Sequence, residues 1–114
     1  MASEEPVVAH LEDVEPVLHS CGASYRLLTR ARAAQVGLHV VDLSDAQAHF
    51  HKATWEVYHI FEGEGTLELN GCSVPVKPGT AVYLPPGVVH RALGKMRAVV
   101  VTTPAYDPED EHLL

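Results

Sequence analysis

Four side chains in this sequence have the types and spacing to hold one metal ion. His49 and His51 are separated by a single residue, Glu56 follows after four more, and His90 stands far downstream. Imidazole nitrogen and carboxylate oxygen together suit a divalent transition metal: Mn, Fe, Co, Ni, Cu or Zn. On an extended chain alternate residues share a face, so His49 and His51 reach into one cavity and Phe50 points away from it. Glu56 opens the run Glu56-Val57-Tyr58-His59-Ile60-Phe61. Glu56, Tyr58 and Ile60 then share a face, which makes Tyr58 the candidate catalytic residue: its hydroxyl would donate to a bound ligand or move a proton. His59 lies on the opposite face and reads as a packing or surface residue. His19 and His39 carry no spacing signal, and His10 and His112, near the ends, read as solvent-exposed. Trp55, Phe61 and Tyr83 are candidate pocket-lining residues, with core packing the simpler reading of Phe61 and Tyr83. Arg26, Arg30 and Arg91 are candidate partners for a carboxylate or phosphate, with an exposed-face role the simpler reading of each.

The elements that would position these residues are strands. Apolar residues do not recur at helical spacing over any long window; short runs rich in Val, Ile, Leu, Tyr and Thr alternate with Gly and Pro. Strands are expected at Tyr25–Thr29, Gly37–Leu43, Glu56–Phe61, Gly65–Leu69, Ser73–Val76, Ala81–Leu84, His90–Leu93 and Arg97–Thr103. Their regular spacing predicts an all-β sandwich or barrel with little helix. Asn70-Gly71 predicts a tight hairpin, because both residues tolerate positive φ. Gly63-Glu64-Gly65 and Lys77-Pro78-Gly79 mark further bends. Three segments result: an acidic N-terminal arm or edge strand over 1–24, a barrel over 25–103, and an acidic, turn-rich tail over 104–114 that packs outside the barrel.

The 114 residues point to one domain. Net charge is −7 with histidine neutral, and only eight residues are Lys or Arg, all scattered. A nucleic-acid surface would need a basic patch, and none is visible. No apolar run approaches the roughly 20 residues of a membrane helix, and no apolar leader opens the chain. A soluble cytoplasmic protein is expected. Cys21 and Cys72 form no CxxC pair and read as two free thiols.

The ligand-type residues sit in two motifs that resemble those of the cupins, specifically small single-domain bacterial cupins. The family's first motif, G(X)5HXH(X)3–4E(X)6G, is matched by His49-x-His51, four residues, Glu56, six residues and Gly63. The second, G(X)5PXG(X)2H(X)3N, is matched by Gly79, five residues, Pro85-x-Gly87, two residues and His90. The chain departs from the motifs at Leu43, where the first opens on Gly, and at Gly94, where the second closes on Asn; neither is a ligand position. The resemblance implies a double-stranded β-helix, the jelly-roll barrel of antiparallel strands. It implies His49, His51, Glu56 and His90 as the four ligands, and a homodimer formed through an N-terminal strand or face-to-face sheets. It implies a metal-dependent enzyme, a dioxygenase or an isomerase/lyase, acting on a small oxygen-rich molecule. Cupins that only bind or sense a small ligand leave that alternative open.

Overall fold

Two long strands carry the architecture. In the computed structural model, which describes residues 5–32 and 35–114, β5 (Trp55–Leu69) and β8 (His90–Thr103) pair antiparallel along their whole length, from Trp55 opposite Thr103 to Leu69 opposite His90. The sequence pattern predicts two strands in each place, and the structure joins them. The register slips between Ile60 and Glu62, and Gly63 takes a φ of 81°. Such a bulge bends a strand without ending its ladder. The second strand bends where Gly94, with a φ of 99°, lies opposite Gly65.

The remaining strands curl around this ribbon. They are β1 (Val17–His19), β2 (Gly22–Leu28), β3 (Gly37–Leu43), β4 (His49–Phe50), β6 (Cys72–Val76), β7 (Ala81–Leu84) and β9 (His112–Leu113), with short 3-10 turns at Leu11–Asp13 and Pro108–Asp110. One edge runs β1-β2-β3-β8-β4-β9, while β5 also pairs with β6 and β7. Every pairing is antiparallel. The sheet closes on itself as a jelly-roll barrel. Asn70 (φ 50°) and Gly71 (φ 84°) link β5 to β6, the pair of positive φ values that a type I′ hairpin turn requires.

Strand alternation separates the inside from the outside. Along the first half of β5, Glu56, Tyr58 and Ile60 are buried while Trp55, Val57, His59 and Phe61 are exposed. Ile60, Leu67 and Ala98 are fully enclosed and pack with Val41, Leu43 and Met96 in the core. Burying each large aliphatic side chain stabilises the fold by about 2–3 kcal/mol. The same alternation carries the Glu56 carboxylate inward.

Segments near both ends of the chain pair with the barrel. The first four residues of the N-terminal arm lie outside the described residues, but Val17–His19 forms the edge strand beside β2. The acidic tail does not simply pack outside: β9 pairs with β4, placing His49 opposite Leu113 and Phe50 opposite His112. His112 is therefore half-buried, its ring stacked on Phe50 at 5.1 Å, rather than solvent-exposed. Backbone pairing of the tail accounts for the difference. Among the described residues no helix is long and apolar enough to cross a membrane.

Candidate metal centre

Three separate strands and the turn after one of them deliver the four ligand-type residues to one point. His49 lies on β4, His51 just beyond it, Glu56 at the start of β5 and His90 at the start of β8. His49 and His90 face each other in the β4–β8 pairing. One ligand atom from each of the four lies within 4.8 Å of every other, and all four residues are buried.

The orientation of the rings is set from behind. His49 Nδ1 is 3.1 Å from the Gln47 carbonyl oxygen, His51 Nδ1 is 2.9 Å from that of Asp110, and His90 Nδ1 is 2.9 Å from that of Val88. A carbonyl only accepts, so each Nδ1 donates and, in the neutral ring, each Nε2 presents a lone pair. Glu56 Oε1 lies 3.1 Å from His51 Nε2 and 3.2 Å from His90 Nε2. Yet these three buried atoms lack hydrogen-bond alignment with any partner. Leaving one such atom unpaired costs about 1–3 kcal/mol. Convergent, unpaired lone pairs around a carboxylate are what a cation satisfies, so the donor set fits a divalent transition metal.

Electrostatics agree with the geometry. Burial alone would raise the Glu56 carboxyl, but the facing His51 and His90 rings outweigh it and hold the group at about 2. Burial lowers His49, reinforced by the neighbouring His90. His51 is raised, because the Glu56 carboxylate outweighs its burial. Tyr58 is pushed well above the usual phenol range by burial and by Glu56; it keeps its proton. Its ring meets that of His90 edge-on at 6.0 Å.

The tail supplies the outer support. Asp110, whose carbonyl accepts the His51 Nδ1–H, also accepts with its carboxylate from Lys52 N, Ala53 N and Thr54 Oγ1 at 2.8–3.0 Å. That one residue clamps the turn between His51 and Glu56. On the other side of His49, Cys21 Sγ stands 3.9 Å and Glu111 Oε1 3.8 Å from Nε2. A narrow cavity of about 30 Å³ is lined by Cys21, His49, His51, Glu56 and Glu111 together with Tyr58, Thr102, Arg26 and Tyr106. A larger groove of about 670 Å³ opens on the other side of His19, which borders both.

Of the other residues singled out by spacing, several lie elsewhere. Trp55, Phe61 and Tyr83 are 44, 42 and 60% exposed on the outer face of the barrel, so they neither line the cavity nor fill the core. Their strand parity, opposite to that of Glu56 for Trp55 and Phe61, accounts for it. Arg91 pairs with Glu68 at 2.9 Å and Arg30 approaches Asp107 at 3.7 Å, both away from the cavity. Arg26 does reach it, lying over the Tyr106 ring at 5.0 Å with its Nε buried and unpaired. His39 is buried beside Ser24 Oγ at 3.2 Å. Both cysteines are free, Cys21 buried and Cys72 exposed. Asp110, Glu111 and Cys21 had no spacing to reveal them; only the pairing of both chain ends with the barrel brings them in.

Known proteins share this architecture. A 70-residue stretch is 31% identical to an uncharacterized protein of Methanocaldococcus jannaschii, covering 58% of this chain and 56% of that protein, so the match spans little more than half of the archaeal relative. A crystal structure of a protein from Planctomyces limnophilus superimposes with a TM-score of 0.90 at 29% identity, covering 96% of this chain and 97% of that one. Ectoine synthase from P. lautus superimposes with a TM-score of 0.79 at 26% identity over 96% and 90% of the two chains. The Streptomyces nucleoside dehydratase Pac13 gives 0.85 at 19% identity over 96% and 92%, a likeness of fold alone. Residues 41–103, more than half of the chain, match the model of the cupin domain. With the motifs, the barrel and this match in agreement, the chain belongs to the cupin family.

Proposed function

We propose that this protein is a metal-dependent enzyme acting on a small oxygen-rich molecule, with His49, His51, Glu56 and His90 holding one divalent transition metal. The observation that carries the reading is the pair of imidazoles, His51 and His90, whose Nδ1 atoms are tied back to carbonyl oxygens while their buried, unpaired Nε2 atoms face Glu56 Oε1 at 3.1 and 3.2 Å, with His49 within ligand reach of all three. A protein that only needed a stable core would not leave such atoms buried and unpaired. A metal bound there would act as a Lewis acid toward a ligand oxygen.

The surrounding side chains favour isomerase or lyase chemistry over oxygenation. Tyr58 lines the cavity and retains its proton, so it serves as a donor to a departing or developing oxygen. Arg26 offers a cation, and Thr102 Oγ1, also buried and unpaired, offers a hydroxyl to an oxygen-rich substrate. The similarity to ectoine synthase lends support. The cavity is too small for such a molecule, so the approach runs through the depressions that share its lining residues: the groove beside His19 and a pocket of about 180 Å³ bordered by Arg26, His39 and Tyr106. As part of the same reading the protein is cytoplasmic, which its two free thiols fit, and dimeric. Exposed Trp55, Val57, Phe61 and Tyr83 on one outer face support the dimer. A monomeric mass by light scattering at micromolar concentration would count against it.

Elemental analysis of protein purified without an affinity tag tests the metal directly. Wild type carries a transition metal, and His51→Ala and Glu56→Ala lose most of it. Tyr58→Phe keeps the metal while turnover falls by about 10²–10⁴. Zinc without oxygen uptake supports isomerase/lyase chemistry; iron or copper with oxygen uptake transfers the assignment to a dioxygenase. Tight ligand binding without turnover makes the protein a sensor. Equal metal content in wild type and both alanine variants overturns the site.

A further inference from the structure

We propose that His19, Cys21 and Glu111 form a second cation site, of the zinc type, abutting the first across His49. The three residues come from two distant parts of the chain. His19 ends β1, Cys21 lies in the turn to β2, and Glu111 follows the 3-10 turn of the tail. One ligand atom from each lies within 4.8 Å of the others. Donors about 2.0–2.3 Å from one tetrahedral ion are separated by roughly 3.3–3.8 Å, so modest closure completes the site. The set pairs one soft thiolate with an imidazole and a carboxylate, a combination that suits zinc and leaves a fourth position open.

Local bonding leaves these donors under-used. His19 Nε2 is buried without a partner. Its Nδ1 receives the Cys21 N–H at 3.4 Å, at the limit of hydrogen-bond length, and coordination of a cation outweighs that contact. Cys21 Sγ is approached by two polar atoms, Ser20 Oγ and His49 Nε2, each only at 3.9 Å. Glu111 Oε2 accepts from Ser20 Oγ at 3.3 Å, which fixes the carboxylate, while Oε1 faces His49 Nε2 at 3.8 Å. An imidazole Nε2 binds one ion, so His49 serves the first set and the second set stands on its own three donors. Charge is largely compensated: the two dications would meet three anions, Glu56, Glu111 and the Cys21 thiolate, together with neutral imidazoles. His19, Cys21, Glu111, His49, His51 and Glu56 line the same cavity, so ions in the two sets would share its contents.

Cobalt(II) titration of the whole chain decides the matter. A Cys72→Ser background leaves Cys21 as the single thiol. The metal-free protein is loaded anaerobically and cobalt per chain is measured together with near-ultraviolet thiolate-to-cobalt absorption. Two cobalt ions per chain and a saturable sulfur band are expected. Cys21→Ser abolishes the band and one ion; Glu111→Gln loses the same ion, and decides alone if Cys21→Ser does not fold. Glu56→Gln weakens the other ion and keeps the band. A single cobalt with no band, lost in Glu56→Gln, overturns the second site and leaves the first standing. A single cobalt with a band shows Cys21 serving the first ion and equally overturns the proposal, as does a band that survives Cys21→Ser.

Discussion

Asp110 reaches the candidate centre by two routes. Its backbone oxygen holds the His51 ring, and its carboxylate holds the turn that separates His51 from Glu56. Asp110→Ala should therefore lower thermodynamic stability by about 2–4 kcal/mol in denaturant unfolding, and weaken metal binding by about 10–100-fold in a competition titration with a chelator. His39, which also lines the cavity, bears on stability through its proton. Burial, reinforced by Arg26, lowers it from an ordinary 6.5 to about 4. The unfolded chain then takes up the proton first as pH falls. The contribution is fully present above about pH 6.5 and is lost progressively down to about pH 4. Compared with His39→Gln, the natural protein should lose about 2 kcal/mol more stability between pH 7 and pH 5. Parallel pH profiles of the two proteins would contradict this.

Among the elements, β5 shows how one strand serves both the core and the site. Its first half turns Glu56 and Tyr58 inward, and its second half turns Leu67 inward after the slip at the bulge. Gly63 makes the slip possible. Its φ of 81° is costly for other residues, and a Cβ there would collide with the Lys95 carbonyl oxygen. Gly63→Ala should destabilise the fold by about 1–3 kcal/mol, read as a lower midpoint in urea. Gly71→Ala provides the comparison: it shares the positive φ, but nothing lies within 4 Å of an added Cβ. It should cost less, and equal losses at both positions would place the penalty in backbone conformation alone.

For the whole molecule, a metal held at the candidate centre would be coupled to the fold. A metal that binds only the folded barrel stabilises it in proportion to the logarithm of its saturation. At a hundredfold excess over the dissociation constant that is about 3 kcal/mol, or a rise in melting temperature of roughly 10 °C or more for a domain of this size. Chelation should reverse the rise in differential scanning fluorimetry, and Glu56→Ala should show little of it. The coupling should weaken in mildly acidic buffer, where protons compete for the imidazoles. An unchanged melting temperature with and without chelator would dissociate the two.

Local chemistry determined much of this protein in advance. The alternation of Glu56, Tyr58 and Ile60 with Val57, His59 and Phe61 is a property of extended backbone, so the inward-facing side chains were legible without coordinates. The same holds for the Asn70-Gly71 turn, and for the histidine and glutamate spacings that mark a cupin. Continuity of β5 and β8 was not legible, because a glycine that bends a strand and a glycine that ends one look alike until the partner strand is in place. Nor were the roles of Asp110, Glu111, His19 and Cys21. They lie in end segments with no periodic signal, and only backbone pairing of β9 with β4 and of β1 with β2 carries them to the cavity. Strand parity depends on neighbours one or two residues away; the company a side chain keeps across a barrel depends on how the whole sheet closes.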